Sequence, residues 1–189
     1  MLTVVHPKDE TTAFLKPLYD GQDYNLIDES MTNREVRHAL NHACGTLVLL
    51  GHGSRDGLFS RKIGGAPFDR IIINSQHLYY LRRCHSLIGI WCNADEFAEQ
   101  HRLTGLFSGM FISEMSESYS NGVETTEEEL ATELPKFVTR LRTLLDNNVR
   151  LSEIPARIKA MDDARTQLTR FNYNSVYFMC SGVRLVNQP

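Results

Sequence analysis

The run Leu47-Val-Leu-Leu50 offers no polar side to water, and it stops abruptly at Gly51-His52-Gly53-Ser54. A second run, Leu87-Ile-Gly-Ile-Trp91, stops in the same way at Cys92-Asn-Ala-Asp-Glu96. Strands that read as continuous apolar runs are buried on both faces, which demands a largely parallel sheet with helices on each side. The surrounding pattern agrees. Residues 2–5 read as a short β-branched strand, 11–19 as a helical stretch, Asp20-Gly21 as a turn and 24–27 as a second strand. A helix capped by Thr32 or Asn33 then runs to about Ala43, with Val36, Ala39, Leu40 and Ala43 on one face. Strand, helix, strand, helix, strand is therefore complete by Leu50.

Beyond His52, residues 53–65 are rich in glycine and polar side chains and read as a short hairpin or loop, followed by a strand over 71–74 and a helix from Ser75 to about 83. Asn93 is placed to cap a helix whose first turn carries Asp95 and Glu96, favourable at the positive end of a helix dipole. Residues 109–113 read as a further strand, 124–146 as a long amphipathic helix divided by Pro135, 152–168 as another helix, and the stretch ending at Cys180 as the last strand. The acidic run Glu127-Glu-Glu129 falls at a helix start and reads as a solvated, dipole-complementing face. The expected architecture is a three-layer α/β/α sandwich with a mostly parallel sheet of about six strands. At 189 residues, one domain spanning 1–189 is expected.

A formal net charge of −3 with 23% charged residues suggests neither nucleic acid nor an anionic membrane as a partner. The apolar runs are far shorter than the roughly 20 residues of a membrane span, and no signal region opens the chain, so a cytoplasmic location is expected. Cys44, Cys84, Cys92 and Cys180 are irregularly spaced and form no CxxC pair, which suits reduced thiols and argues against a structural zinc site. His38 and His42, four apart on one helix, lack the neighbouring glutamate and third ligand of a metal site. No metal and no cofactor are expected.

His52 and Cys92 remain. In an open α/β sheet, sites form beyond the carboxyl ends of the strands. Two neighbouring parallel strands would deliver both residues to one rim, where an imidazole beside a thiol makes a nucleophile–base pair. The start of a helix after Cys92 would favour the thiolate. Two other readings of 51–57 are weaker. A phosphate cradle lacks the G-x-x-x-x-G-K-[ST] or G-x-G-x-x-G pattern, and Ser54 lacks a G-x-S-x-G elbow.

A strand ending in His-Gly and a later strand ending in Cys, 40 residues on, resemble the caspase-like cysteine peptidases, which include caspases, metacaspases, legumains, gingipains and clostripain-like enzymes. The resemblance spans residues 2–116. It implies a caspase-like sheet and hydrolysis of a peptide or protein substrate through a thioester, with Cys92 as nucleophile and His52 as general acid/base. It further implies an oxyanion hole from the backbone N–H groups of Gly53 and Cys92. The first specificity pocket would draw on Trp91, Ser113 and Glu114, the last suited to a basic side chain. Gly89-Ile-Trp91 stands where caspases carry glutamine and alanine, so caspase-type aspartate specificity is not implied. The rival expectation is an inactive protein-binding module on the same fold.

Overall fold

The computed structural model describes residues 2–43, 45–60 and 70–185. Cys44, and the part of the expected 53–65 loop beyond residue 60, lie outside them. Ten strands are described: β1 (Leu2–Val5), β2 (Tyr24–Ile27), β3 (Thr46–Leu50), β4 (Gly53–Ser54), β5 (Gly57–Ser60), β6 (Arg70–Ile73), β7 (Ser86–Ile90), β8 (Gly105–Ser108), β9 (Val176–Cys180) and β10 (Val183–Arg184). The helices are α1 (Asn33–Asn41), α2 (Leu78–Leu81), α3 (Ala94–Gln100), α4 (Met115–Asn121), α5 (Glu127–Asp146), α6 (Ile154–Ala160) and α7 (Gln167–Asn174), with 3-10 turns at Glu10–Leu18 and Ser75–His77.

Seven strands, one more than expected, form the main sheet in the order β10-β9-β8-β7-β3-β1-β2. From β8 to β2 the pairings are parallel, while β9 and β10 run antiparallel to their neighbours. The apolar runs explain why this sheet is covered twice. Side chains alternate along a strand, so Val4, Val48, Leu50, Ile88 and Ile90 enter one core with the Glu10–Leu18 turn and α5 to α7. Val5, Leu47, Leu49 and Leu87 enter the other, with α1, α2 and α3. Three layers result.

β4, β5 and β6 make a separate antiparallel sheet, in which the hairpin expected after His52 appears as β4–β5. Its Leu58, Ile72 and Ile73 join the α3 core.

Three sequence expectations need correction. The strand expected at 109–113 lies earlier, at Gly105–Ser108, and the later residues leave the sheet. Phe111 and Ile112 are buried nonetheless, and Asn172 of α7 gives Ile112 the partners a strand would: its Oδ1 accepts from Ile112 N at 2.8 Å and its Nδ2 donates to Ile112 O at 2.9 Å. The helix expected at 152–168 is two helices. Thr166 starts the second with a reciprocal cap, its hydroxyl accepting from Thr169 N while Thr169 Oγ1 accepts from Thr166 N, and Arg165 just before it has φ of 54°. Pro135 does not divide α5, which continues through 20 residues. Leu130, Leu134, Phe137, Val138, Leu141 and Leu144 are buried along it, and that burial outweighs the local loss of one N–H donor.

No helix among the described residues is long and apolar enough to cross a membrane.

Candidate functional site

β3 and β7 pair in register, with Leu50 opposite Ile90, and Gly51 N still donates to Ile90 O at 3.2 Å. His52 and Cys92 each stand two residues past that last pair. Neighbouring strands are roughly 4.8 Å apart, so the two side chains leave the sheet at one height on adjacent strands. Both line a single narrow pocket with Thr12, Phe14, Leu15, Phe111 and Ser113. Its free volume is about 10 Å³, room for about one water.

The chain needs glycine on the His52 side for packing. A side chain at Gly53 would place its Cβ 2.1 Å from Trp91 Cδ1 and 2.6 Å from Gly57 O. Trp91 is 1% exposed, donates from Nε1 to Ser54 O at 3.1 Å, and meets Phe97 edge-on. Its indole braces the β4–β5 hairpin and packs in the core beside α3, so it presents almost no surface to a substrate. Ser108 Oγ accepts from Trp91 N at 3.0 Å and donates to Trp91 O at 2.8 Å, which holds the backbone one residue before Cys92.

His52 is half-buried, and its Nε2 lies 2.6 Å from Thr11 Oγ1. That hydroxyl has one proton, and it donates it to Asp9 Oδ1 at 2.6 Å. Asp9 Oδ1 also accepts from Thr11 N at 2.9 Å, capping the 3-10 turn. Thr11 therefore accepts from His52, and the neutral imidazole carries its proton on Nε2 and its lone pair on Nδ1.

The surroundings of Cys92 differ from the sequence expectation. Asn93 takes a left-handed conformation, φ of 65°, and its side chain makes no capping bond. Instead of the lowered pKa expected at a helix start, the Cys92 thiol is pushed up to about 12, first by burial and then by the Glu117 carboxylate. The thiol donates toward Phe111 O at 3.3 Å and Glu117 Oε1 at 3.4 Å. Glu117 is fixed by its other oxygen, which accepts from Ser113 N at 2.7 Å, Ser113 Oγ at 3.0 Å and Glu114 N at 3.3 Å. Ser113 lines the pocket and Glu114 does not, and the polar groups of both are engaged in holding Glu117 and capping α4.

Glu117, Thr11 and Asp9 escaped the sequence reading. The spacing Glu114-x-x-Glu117 is a cap pattern and Asp9-x-Thr11 a turn pattern, so each announced a local structure without its tertiary partner. Next to Thr11, Thr12 hydrogen-bonds a second histidine: His6 Nε2 lies 3.4 Å from Thr12 Oγ1, and its Nδ1 lies 3.0 Å from Tyr19 OH. Burial pulls the His6 pKa down to about 4 and lifts that of Tyr19 to about 12. His38 on α1 and His42, which caps its end, have tilted rings with centroids 4.7 Å apart, and His42 Nδ1 engages His38 O. Among the described residues no three potential metal ligands converge.

No protein-family model matches the chain, and a search of curated proteins finds no relative of it.

Proposed function

We propose that the chain is a cysteine endopeptidase of the caspase-like superfamily, with Cys92 as nucleophile and His52 as general acid/base. The observation that carries this reading is the emergence of both residues, in register, from adjacent parallel strands into one pocket. The sheet order, with a helix-flanked parallel core and an antiparallel strand after β8, supports the caspase-like assignment.

The resting thiol is neutral, so the attack is a coupled one. Cys92 Sγ bonds to the scissile carbonyl carbon as its proton passes to the lone pair on His52 Nδ1. The oxyanion is received by the backbone N–H groups of Gly53 and Cys92, donors worth on the order of 3 kcal/mol each in such sites. The C–N bond then breaks, His52 returns the proton to the departing amine, and water hydrolyses the thioester. The reaction consumes one peptide bond and one water and calls on no cofactor. Ser113 lines the pocket where the preceding side chain would sit, and the carboxylate of Glu114, next in sequence, would suit a basic one.

One observation favours a second reading, a binding module without turnover. The thiol is clamped by Phe111 O and Glu117, in a pocket with room for about one water. A peptide library varied at the residue before the scissile bond, offered to the wild type, C92A and H52A, separates the two. Turnover that both substitutions abolish supports the peptidase. Silence of the wild type, after calcium and limited proteolysis, supports the binding module.

A further inference from the structure

We propose that Thr11 is the positioning residue behind His52, relaying the Asp9 carboxylate to the imidazole through its hydroxyl. The inference rests on the peptidase reading for its effect on rate, but its geometry stands apart from it.

Three contacts from one short turn build the device. Asp9 Oδ1 accepts both Thr11 N, at 2.9 Å, and Thr11 Oγ1, at 2.6 Å, which fixes the hydroxyl's proton on the carboxylate side. The oxygen's lone pair is thereby presented to His52 Nε2 at 2.6 Å. A histidine that acts as base must expose a lone pair toward the nucleophile, and the group behind the ring selects which nitrogen that is. A carboxylate is the common choice for that group. Here it reaches the ring through a hydroxyl supplied 41 residues earlier in the chain.

Thr11 lies on the 3-10 turn Glu10–Leu18, whose Leu15 and Leu18 are buried against the sheet. Thr12, next in sequence, is 2% exposed and bonded to His6 at the end of β1. The relay is therefore anchored on both sides, by the core beneath the turn and by the neighbouring strand.

The test uses T11V, which keeps the shape and removes the hydroxyl, beside T11S, which restores it. Nitrogen NMR of uniformly 15N-histidine-labelled protein, with His52 assigned by H52Q, reads the tautomer without any substrate. The expected result is an essentially pure Nε2–H ring in the wild type and T11S, and in T11V a drop toward the tautomer mixture of a free imidazole, in which Nε2–H is only the majority form. Where turnover is measured, kcat/KM falls on the order of tenfold or more in T11V, with T11S close to wild type. An Nδ1–H ring in the wild type, or a tautomer unmoved by T11V, overturns the proposal. An Nε2–H ring that T11V disturbs, in a protein without turnover, leaves the relay standing and removes only the peptidase reading.

Discussion

Replacing Glu117 by glutamine should make Cys92 more reactive. Glu117 Oε1 stands 3.4 Å from the sulfur, and its charge opposes formation of a thiolate. Two unit charges about 4 Å apart interact by about 4 kcal/mol at an effective dielectric near 20, equivalent to about three pKa units. Burial is the larger cause of the raised thiol pKa and survives the substitution. Only part of the shift is therefore recovered, and a fall of about one unit is the reasonable expectation, which means about tenfold more thiolate at pH 7.5. Glutamine still accepts from Ser113 N and Glu114 N, so the start of α4 should persist. The assay is the rate of iodoacetamide alkylation at pH 7.5, assigned to Cys92 by peptide mass so that the exposed Cys180 is counted separately. An unchanged or slower rate at Cys92, with the near-ultraviolet circular dichroism intact, refutes the argument that Glu117 holds the thiol protonated.

Three other perturbations test the frame around the site. G53A should cost about 2 kcal/mol or more in urea unfolding, since its methyl group lands 2.1 Å from Trp91 Cδ1 and 2.6 Å from the Gly57 backbone oxygen, which cannot swing aside. N172A removes both partners of the buried Ile112 backbone, N–H at 2.8 Å and C=O at 2.9 Å, and should cost about 2–4 kcal/mol by the same measurement. The His6 imidazole is pulled from 6.5 to about 4 in the folded chain, so below pH 6.5 the unfolded chain binds the extra proton first. Its contribution is fully present above pH 6.5 and is lost as pH falls through 4, by about 3 kcal/mol in all. Urea unfolding of H6Q from pH 7 to pH 4 should show a correspondingly shallower loss than the wild type.

Much of this arrangement was readable from the chain. Leu47–Leu50 and Leu87–Trp91 announce doubly buried strands because nothing polar interrupts them, and the residues ending them announce the rim. Short-range signals also worked where the cap was local, as with Thr32, whose hydroxyl accepts from Glu35 N to open α1. The strand error has a tertiary cause. Residues 109–113 carry strand-type side chains, yet their backbone partners are loop and helix groups, such as the Asn172 side chain on Ile112, 60 residues away, so periodicity alone misassigned them. The site shows the same division. His52 and Cys92 end strands and were visible, whereas Glu117 and Thr11 reach them from a helix start and a 3-10 turn through contacts that spacing does not encode. The thiol's raised pKa was hidden for that reason, since the helix start predicted one sign and the tertiary carboxylate, with burial, supplied the other.

The central claim is covalent chemistry at Cys92, and the most direct test is to catch it. The wild type and C92A should be mixed with a library of peptide esters, quenched in acid within the first turnovers, and mapped by mass spectrometry. The account predicts an acyl group in thioester linkage on the peptide containing Cys92 in the wild type and none in C92A. Ester turnover without an adduct on Cys92, or equal turnover by C92A, would contradict it.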